Sequence, residues 1–252
     1  MSIAAPLVKK LGRRCLHRLG YELVRCKRQS KGKAYGPVLP AQTYSPWLLD
    51  EEFLKAYKAI AGFTLVDIYR CWELWSLTEQ AAKVPGSIIE VGAWRGGTGA
   101  LIGLKAQRCG ISDPVYLCDT FRGVVKTGPH DPFYKGGEHA DTSPDVVQTL
   151  VHGRLKLENV RILEGAFPEE TGHMVGDHRF RMCHVDVDVY ESARDVVEWI
   201  NPRMSMGGIC IFDDYGFEGT PGVTKLVDEQ RSLGDRVVIH NLNGHAVIVR
   251  TA

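Results

Sequence analysis

Residues 87–107, SIIEVGAWRGGTGALIGLKAQ, decide how the fold is read. A short run rich in isoleucine and valine carries Glu90 near its end and passes into a glycine-rich turn, Gly92 to Gly99, followed by residues with helical composition. Glycine lets a backbone turn tightly and approach a ligand closely, and the N-terminus of the next helix offers unpaired N–H groups to a polar or anionic group. Sites for NAD, FAD, phosphate and S-adenosylmethionine all use such a turn, and tight packing alone also explains one. A phosphate-binding P-loop is excluded, because no Gly-Lys-Ser/Thr closes it.

Working outward, the same kind of run recurs down the chain: VYLCD (115–119), VRILEG (160–165), RMCHVDVD (181–188), GGICIFDD (207–214), RVVIHNL (236–242) and HAVIVR (245–250). Strands alternating with helices of ten to fifteen residues specify an α/β fold with a mostly parallel sheet covered on both faces. The last two runs have no helix between them, and Asn241 to Gly244 reads as a hairpin turn, so the final strand is expected to be antiparallel. Upstream, residues 48–82 show helical periodicity with a break at 62–64, and Thr64 with Asp67 reads as a helix start. Residues 122–145 show neither period; a loop this long after a strand's carboxyl end reads as a lid.

The chain has 252 residues, 44% hydrophobic and 24% charged, a composition that excludes disordered and collagen-like classes. Seven scattered cysteines, with no Cys-x-x-Cys pair, give neither a disulfide framework nor a zinc knuckle, so a cytoplasmic setting is expected. No apolar run spans a bilayer and no signal-peptide core is present. The net charge of +1 conceals an asymmetry: residues 1–34 carry ten basic side chains and one acid. Leu7, Leu11, Leu16, Leu19 and Leu23 recur between them as on an amphipathic helix suited to an anionic membrane surface or a partner, and equally to a solvated helix packed on its own domain. Few aromatics accompany these bases, so nucleic-acid binding is not expected. Residues 35–43 read as a linker and 44–252 as the folded domain.

Two acids stand near successive strand ends. Glu90 is placed for an amine, and Asp119, 29 residues on, for a ribose diol. That pair suits a nucleoside carrying a cationic amino acid, whereas Glu90 would repel a pyrophosphate, so S-adenosylmethionine is favoured over NAD. Further on, His184-Val185-Asp186-Val187-Asp188 and Phe212-Asp213-Asp214 bring four carboxylates to one sheet edge. Carboxylates packed together repel unless a cation neutralises them, and oxygen-only donors suit Mg²⁺, with Mn²⁺ or Ca²⁺ as alternatives. Helix caps would explain one acid per turn but not two adjacent pairs.

Taken in order, EVGAWRGGTG, CDTF, HVDVDVYES and GGICIFDDYG resemble the macrocin O-methyltransferase family, S-adenosylmethionine- and metal-dependent enzymes acting on sugar hydroxyls, and the likeness runs from about Thr64 to Arg250. The resemblance implies the class I methyltransferase sandwich, seven strands with the last antiparallel. It implies cofactor contacts from Thr64, Glu90, Gly92, Trp94, Thr98, Asp119, Ala166 and Asp186, and metal ligation by Asp186, Asp213 and Asp214. Asp186 or Asp188 is the candidate base, with His139 of the lid as second choice. His184 reads as a packed support, Arg70 and Tyr69 as acceptor-side residues, with Tyr69 equally readable as core, and His245 as a residue within reach of the site from the last strand but with no role fixed by sequence. The basic leader with LGYELVR (19–25) is unlike a short substrate arm and resembles those of bacterial glycan enzymes, which makes a glycan sugar an acceptor beside a natural-product sugar. A homo-oligomer is expected. Two rivals stand: a metal-dependent O-methyltransferase of catechol-like phenols, and a non-catalytic binding protein on the same fold.

Overall fold

The computed structural model describes residues 42–252, together with residues 19, 34–36 and 38. The chain divides into two units, Met1–Leu39 and Pro40–Ala252, and the second holds everything described below. The amphipathic reading of residues 1–34 falls almost entirely outside the described residues.

All seven runs are strands: β1 (Ser87–Val91), β2 (Val115–Asp119), β3 (Val160–Glu164), β4 (Phe180–Val185), β5 (Met204–Phe212), β6 (Arg236–His240) and β7 (Ala246–Arg250). They form one sheet in the order β3-β2-β1-β4-β5-β7-β6. Pairs β1–β2, β2–β3, β1–β4 and β4–β5 are parallel, while β7 runs antiparallel to both β5 and β6. The expected hairpin closes with Asn241 N–H donating to the His245 carbonyl at 3.0 Å. Strand order reverses between β1 and β4, and at such a switch point the loops diverge and leave a crevice beyond the carboxyl ends of the strands.

Two boundaries differ from the sequence reading. β4 and β5 end at Val185 and Phe212, so all four clustered carboxylates lie in turns beyond the strands. The first of these turns is tight: Val189 N–H donates to the Val187 carbonyl at 2.7 Å, and Asp188 has φ +64°, a left-handed conformation that a strand cannot contain. Periodicity carried through the acids because Val185 and Val187 continue the alternation.

The helices are α1 (Glu51–Ala59), α2 (Ile68–Ala81), α3 (Gly97–Arg108), α4 (Pro144–Gln148), α5 (Tyr190–Ile200) and α6 (Pro221–Gln230). Asp50 caps α1 by accepting from Phe53 N–H, and Glu51 and Glu52 complement the positive end of its dipole. The break before α2 spans residues 60–67, wider than expected. The cap of α2 is Asp67, which accepts from the N–H groups of Tyr69 and Arg70; Thr64 Oγ1 instead accepts from Val66 N–H at 3.0 Å in a turn of its own.

Successive strand residues feed opposite layers. Ile88 packs with Leu74, Trp75 and Leu101 from α2 and α3, and Ile89 with Val196 and Leu226 from α5 and α6. Each such buried aliphatic side chain contributes about 1.5–3 kcal/mol relative to exposure. Glycine is required where β1 meets β4: Gly92 has φ +94°, and a Cβ there would lie 1.7 Å from the Asp186 carbonyl oxygen. Among the described residues no helix is long and apolar enough to cross a membrane.

Candidate active site

The crevice at the switch point is a cavity of about 270 Å³. Its walls include Thr64, Gly92, Trp94, Thr98, Asp119, Ala166, Asp186, Asp188, His139, Asp213 and Asp214, so of the cofactor, metal and base residues expected from the sequence only Glu90 does not line it, and of the two acceptor-side residues Tyr69 does not.

One end is built on β1, β2 and the glycine-rich turn. Asp119 accepts from Trp94 N–H on one oxygen and from Phe121 N–H on the other, each at 2.7 Å. Every carboxylate oxygen has two lone-pair directions, so both oxygens keep one for a vicinal diol. Burial raises the Asp119 pKa, and the backbone donors work against that rise. Buried Thr98 stands in the first turn of α3, and Ala166 and Phe167 close the side beyond β3.

Glu90 lies out of the cavity. It is fully buried beneath the glycine-rich turn, where Oε1 meets His184 Nδ1 at 2.8 Å and a Cβ on Gly99 would lie 2.4 Å from Oε2. The short run around Glu90 fits a buried strand as well as a strand end, so its sequence does not tell a ligand-facing acid from one that packs a histidine. His184 is fully buried against Glu90: burial alone would lower its pKa, but the Asp213 and Glu90 carboxylates beside it push it up to about 10.

The other end is the carboxylate cluster. Asp186, Asp213 and Asp214 each offer an oxygen within 4.8 Å of the others. Burial, and then repulsion from Asp213 and Asp214, raises Asp186 well above the usual carboxylate range; burial, then Asp188 and Asp213, does the same to Asp214. Asp214 Oδ2 is buried without a hydrogen-bond partner. A divalent cation fits this donor set: three hard oxygens, an orphaned acceptor and excess negative charge. Asp213 differs from its neighbours. Burial would raise it, but His184, His245 and Arg70 surround it and hold it well below the ordinary range. Arg70 is the acceptor-side residue that lines the cavity, contacting Asp213 Oδ2 and Asp67; Tyr69 turns away and packs its ring on Trp47.

The lid runs over residues 120–143 with no helix or strand. Asp131 ties it down, accepting from Gly128 N–H and from Tyr190 N–H at the start of α5. At its far end Asp141 accepts from Trp94 Nε1 at 2.9 Å and Arg95 Nη2 at 2.7 Å, and Thr142 Oγ1 donates to the Trp94 carbonyl at 2.5 Å. Besides Thr120, Gly123, Val124 and Val125, three lid residues with polar side chains line or reach the site: His139, Lys126, which pairs with Asp195 at 2.8 Å, and Tyr134, whose hydroxyl donates to Asp188 at 2.6 Å. Sequence reasoning missed Tyr134, Lys126 and Asp141, because an aperiodic loop carries no signal for which side chains point inward. Six non-glycine residues among those described have positive φ, and Trp94, Lys126, His139 and Asp188 of these line the cavity, so strained backbone is concentrated at the site.

A parallel sheet with this strand order, one antiparallel strand beside its edge and a switch-point cavity with an acid at the end of β2 define a class I methyltransferase. Within that class, the family model described as Macrocin-O-methyltransferase (TylF) matches residues 57–247. The chain belongs to that family, and it is an O-methyltransferase. Among its relatives are the 8-demethyl-8-(2,3-dimethoxy-alpha-L-rhamnosyl)-tetracenomycin-C 4'-O-methyltransferase of Streptomyces olivaceus, 29% identical over 184 residues, covering 69% of this chain and 68% of that one. Another is the mycinamicin III 3''-O-methyltransferase of Micromonospora griseorubida, 28% identical over 188 residues, 69% of this chain and 74% of the relative. The solved structure of the O-methyltransferase NovP superimposes with a TM-score of 0.65 at 26% identity, over 75% of this chain and 83% of that one.

Proposed function

We propose that the enzyme transfers the methyl group of S-adenosylmethionine to a sugar hydroxyl of a natural product or bacterial glycan, with a divalent cation, Mg²⁺ in the first instance, held by Asp186, Asp213 and Asp214. The observation that carries this reading is one cavity with two chemically distinct ends: a diol-accepting aspartate under a glycine-rich turn, and three clustered carboxylates opposite. A relative named as the 4'-O-methyltransferase of a rhamnosyl-tetracenomycin supports a sugar acceptor.

Asp119 would hold the ribose, Thr98 and the turn from Gly92 to Trp94 would seat the amino-acid portion, and Ala166 would border the adenine, with Thr64 beside the methionine end. S-adenosylmethionine brings an already activated methyl group, so the protein's share is positioning and charge stabilisation. A cation held by the three carboxylates supplies Lewis acidity to the acceptor hydroxyl. Asp188 is the base we favour: Asp186 is committed to the cation, whereas Asp188 lines the cavity with one oxygen oriented by Tyr134. His139, whose ring packs edge-on near Trp94, is the alternative. The basic segment 1–34 would bring the enzyme to an anionic membrane surface on the cytoplasmic side when the acceptor is lipid-linked.

The test is methyl transfer from labelled S-adenosylmethionine to a panel of glycosylated acceptors and to catechol, in Mg²⁺ and in EDTA. Transfer to sugars alone, abolished by EDTA, is expected. Preference for catechol would move the enzyme to the phenol-methylating class, and undiminished transfer in EDTA would remove the cation.

A further inference from the structure

Asp213 differs from the other clustered carboxylates in being gripped on both oxygens from one helix. Arg70 and Glu73 lie three residues apart on α2, one turn along the same face. Arg70 Nη1 donates directly to Asp213 Oδ2. Glu73 acts at one remove, through a histidine: its Oε2 meets His245 Nδ1 at 2.8 Å, and His245 Nε2 meets Asp213 Oδ1 at 2.8 Å. His245 is fully buried, so no water competes for either contact. The histidine in turn is set by the β6–β7 hairpin, since Asn243 Oδ1 accepts from its backbone N–H at 3.0 Å. Asn241 and Asn243 also donate their side-chain amides to the Glu73 carboxylate. Glu73 is therefore oriented by three donors from one hairpin.

We propose that Glu73 and His245 are a positioning pair that fixes the orientation of the Asp213 carboxylate toward the divalent cation. The inference rests on the metal reading given above and adds to it two residues that stand behind Asp213. An aspartate carboxyl turns readily about its last side-chain bond. With Oδ1 held by His245, that rotation stops, and the plane of the carboxylate is set before a cation arrives. Carboxylate–histidine supports behind a metal ligand are known to tune affinity by about 10–100-fold. The sequence separation, from residue 73 to 245, is why Glu73 did not stand out and His245 had no role fixed when read along the chain.

The pair also fastens the hairpin to α2, and a purely structural role must be told from a positioning one. The experiment measures Mn²⁺ binding by electron paramagnetic resonance of the free ion, on the full chain loaded with S-adenosylhomocysteine. The wild type, Glu73→Gln, His245→Ala and Asn241→Ala are compared. In parallel, S-adenosylhomocysteine affinity is measured in EDTA, which reads the distant Asp119 end and reports whether each variant is folded. Expected are one Mn²⁺ per wild-type chain, about 10–100-fold weaker Mn²⁺ binding in Glu73→Gln and His245→Ala, and S-adenosylhomocysteine affinity unchanged in both. Asn241→Ala, which removes a hairpin contact with Glu73 and leaves His245 in place, should melt earlier but keep its Mn²⁺ affinity. Wild-type-like Mn²⁺ binding by Glu73→Gln and His245→Ala overturns the positioning role, as does an equal loss in Asn241→Ala. Failure of the wild type itself to bind Mn²⁺ removes the metal reading and this proposal with it.

Discussion

Asp119 enters its task with both oxygens already engaged by backbone N–H groups, so its carboxylate is aimed before a ligand arrives. Asp119→Ala should weaken S-adenosylhomocysteine binding by about 10–100-fold, the weight of charge-assisted hydrogen bonds worth ~1.5–3 kcal/mol, as read by calorimetry. The pH dependence has a definite sign. Burial raises the Asp119 pKa, and a protonated carboxyl loses acceptor capacity, so affinity should begin to fall with decreasing pH above the ordinary aspartate range. An affinity flat down to that range would contradict the role. Gly92 is the residue on which the turn depends: Gly92→Ala forces a Cβ against the Asp186 carbonyl and should cost about 3 kcal/mol or more, measured as a lowered denaturation midpoint. At this scale the carboxylate cluster was legible, because adjacent acids at strand ends have few purely structural uses. The burial of Glu90 away from the cavity was not legible: a buried acid paired with a buried histidine is written in the same letters as a ligand-facing one.

Among the elements, the lid is where structure adds most. Asp141 joins it to Trp94 and Arg95, and the Trp94 backbone N–H in turn donates to Asp119, so the loop's anchor and the Asp119 carboxylate share one residue. Asp141→Ala should raise amide hydrogen exchange across residues 120–143 and weaken S-adenosylhomocysteine binding, while leaving exchange in β1 to β5 unchanged. Exchange confined to wild-type levels would show that the remaining ties, through Asp131, Tyr134, Lys126 and Thr142, hold the lid without Asp141. The strands were legible because β-branched runs bounded by turn residues leave little choice. Their ends were not, since Val185-Asp186-Val187 keeps a strand's alternation through a turn that only the positive φ of Asp188 reveals. The cap of α2 was legible to within three residues: Thr64 and Asp67 are both good capping types, and the backbone geometry selects Asp67.

In the whole molecule, the sheet order places β1 and β4 side by side, and this brings Asp119 at the end of β2 and the carboxylates after β4 and β5 to one crevice. The parallel sheet with its antiparallel partner strand followed from the seven runs and the terminal hairpin, whereas the order of strands across the sheet is read only in the structure, since alternation along a chain does not rank neighbours in space. The two ends of the cavity are separate in construction, so cofactor binding should survive removal of the cation while turnover should not. Asp213→Asn should keep S-adenosylhomocysteine affinity and lose Mg²⁺-dependent methyl transfer. The most direct measurement is a calorimetric titration of S-adenosylhomocysteine into the full chain, once in Mg²⁺ and once in EDTA. One ligand per chain in both buffers is the predicted result, and no detectable binding in either would contradict the assignment of the cavity as the methyl donor's site.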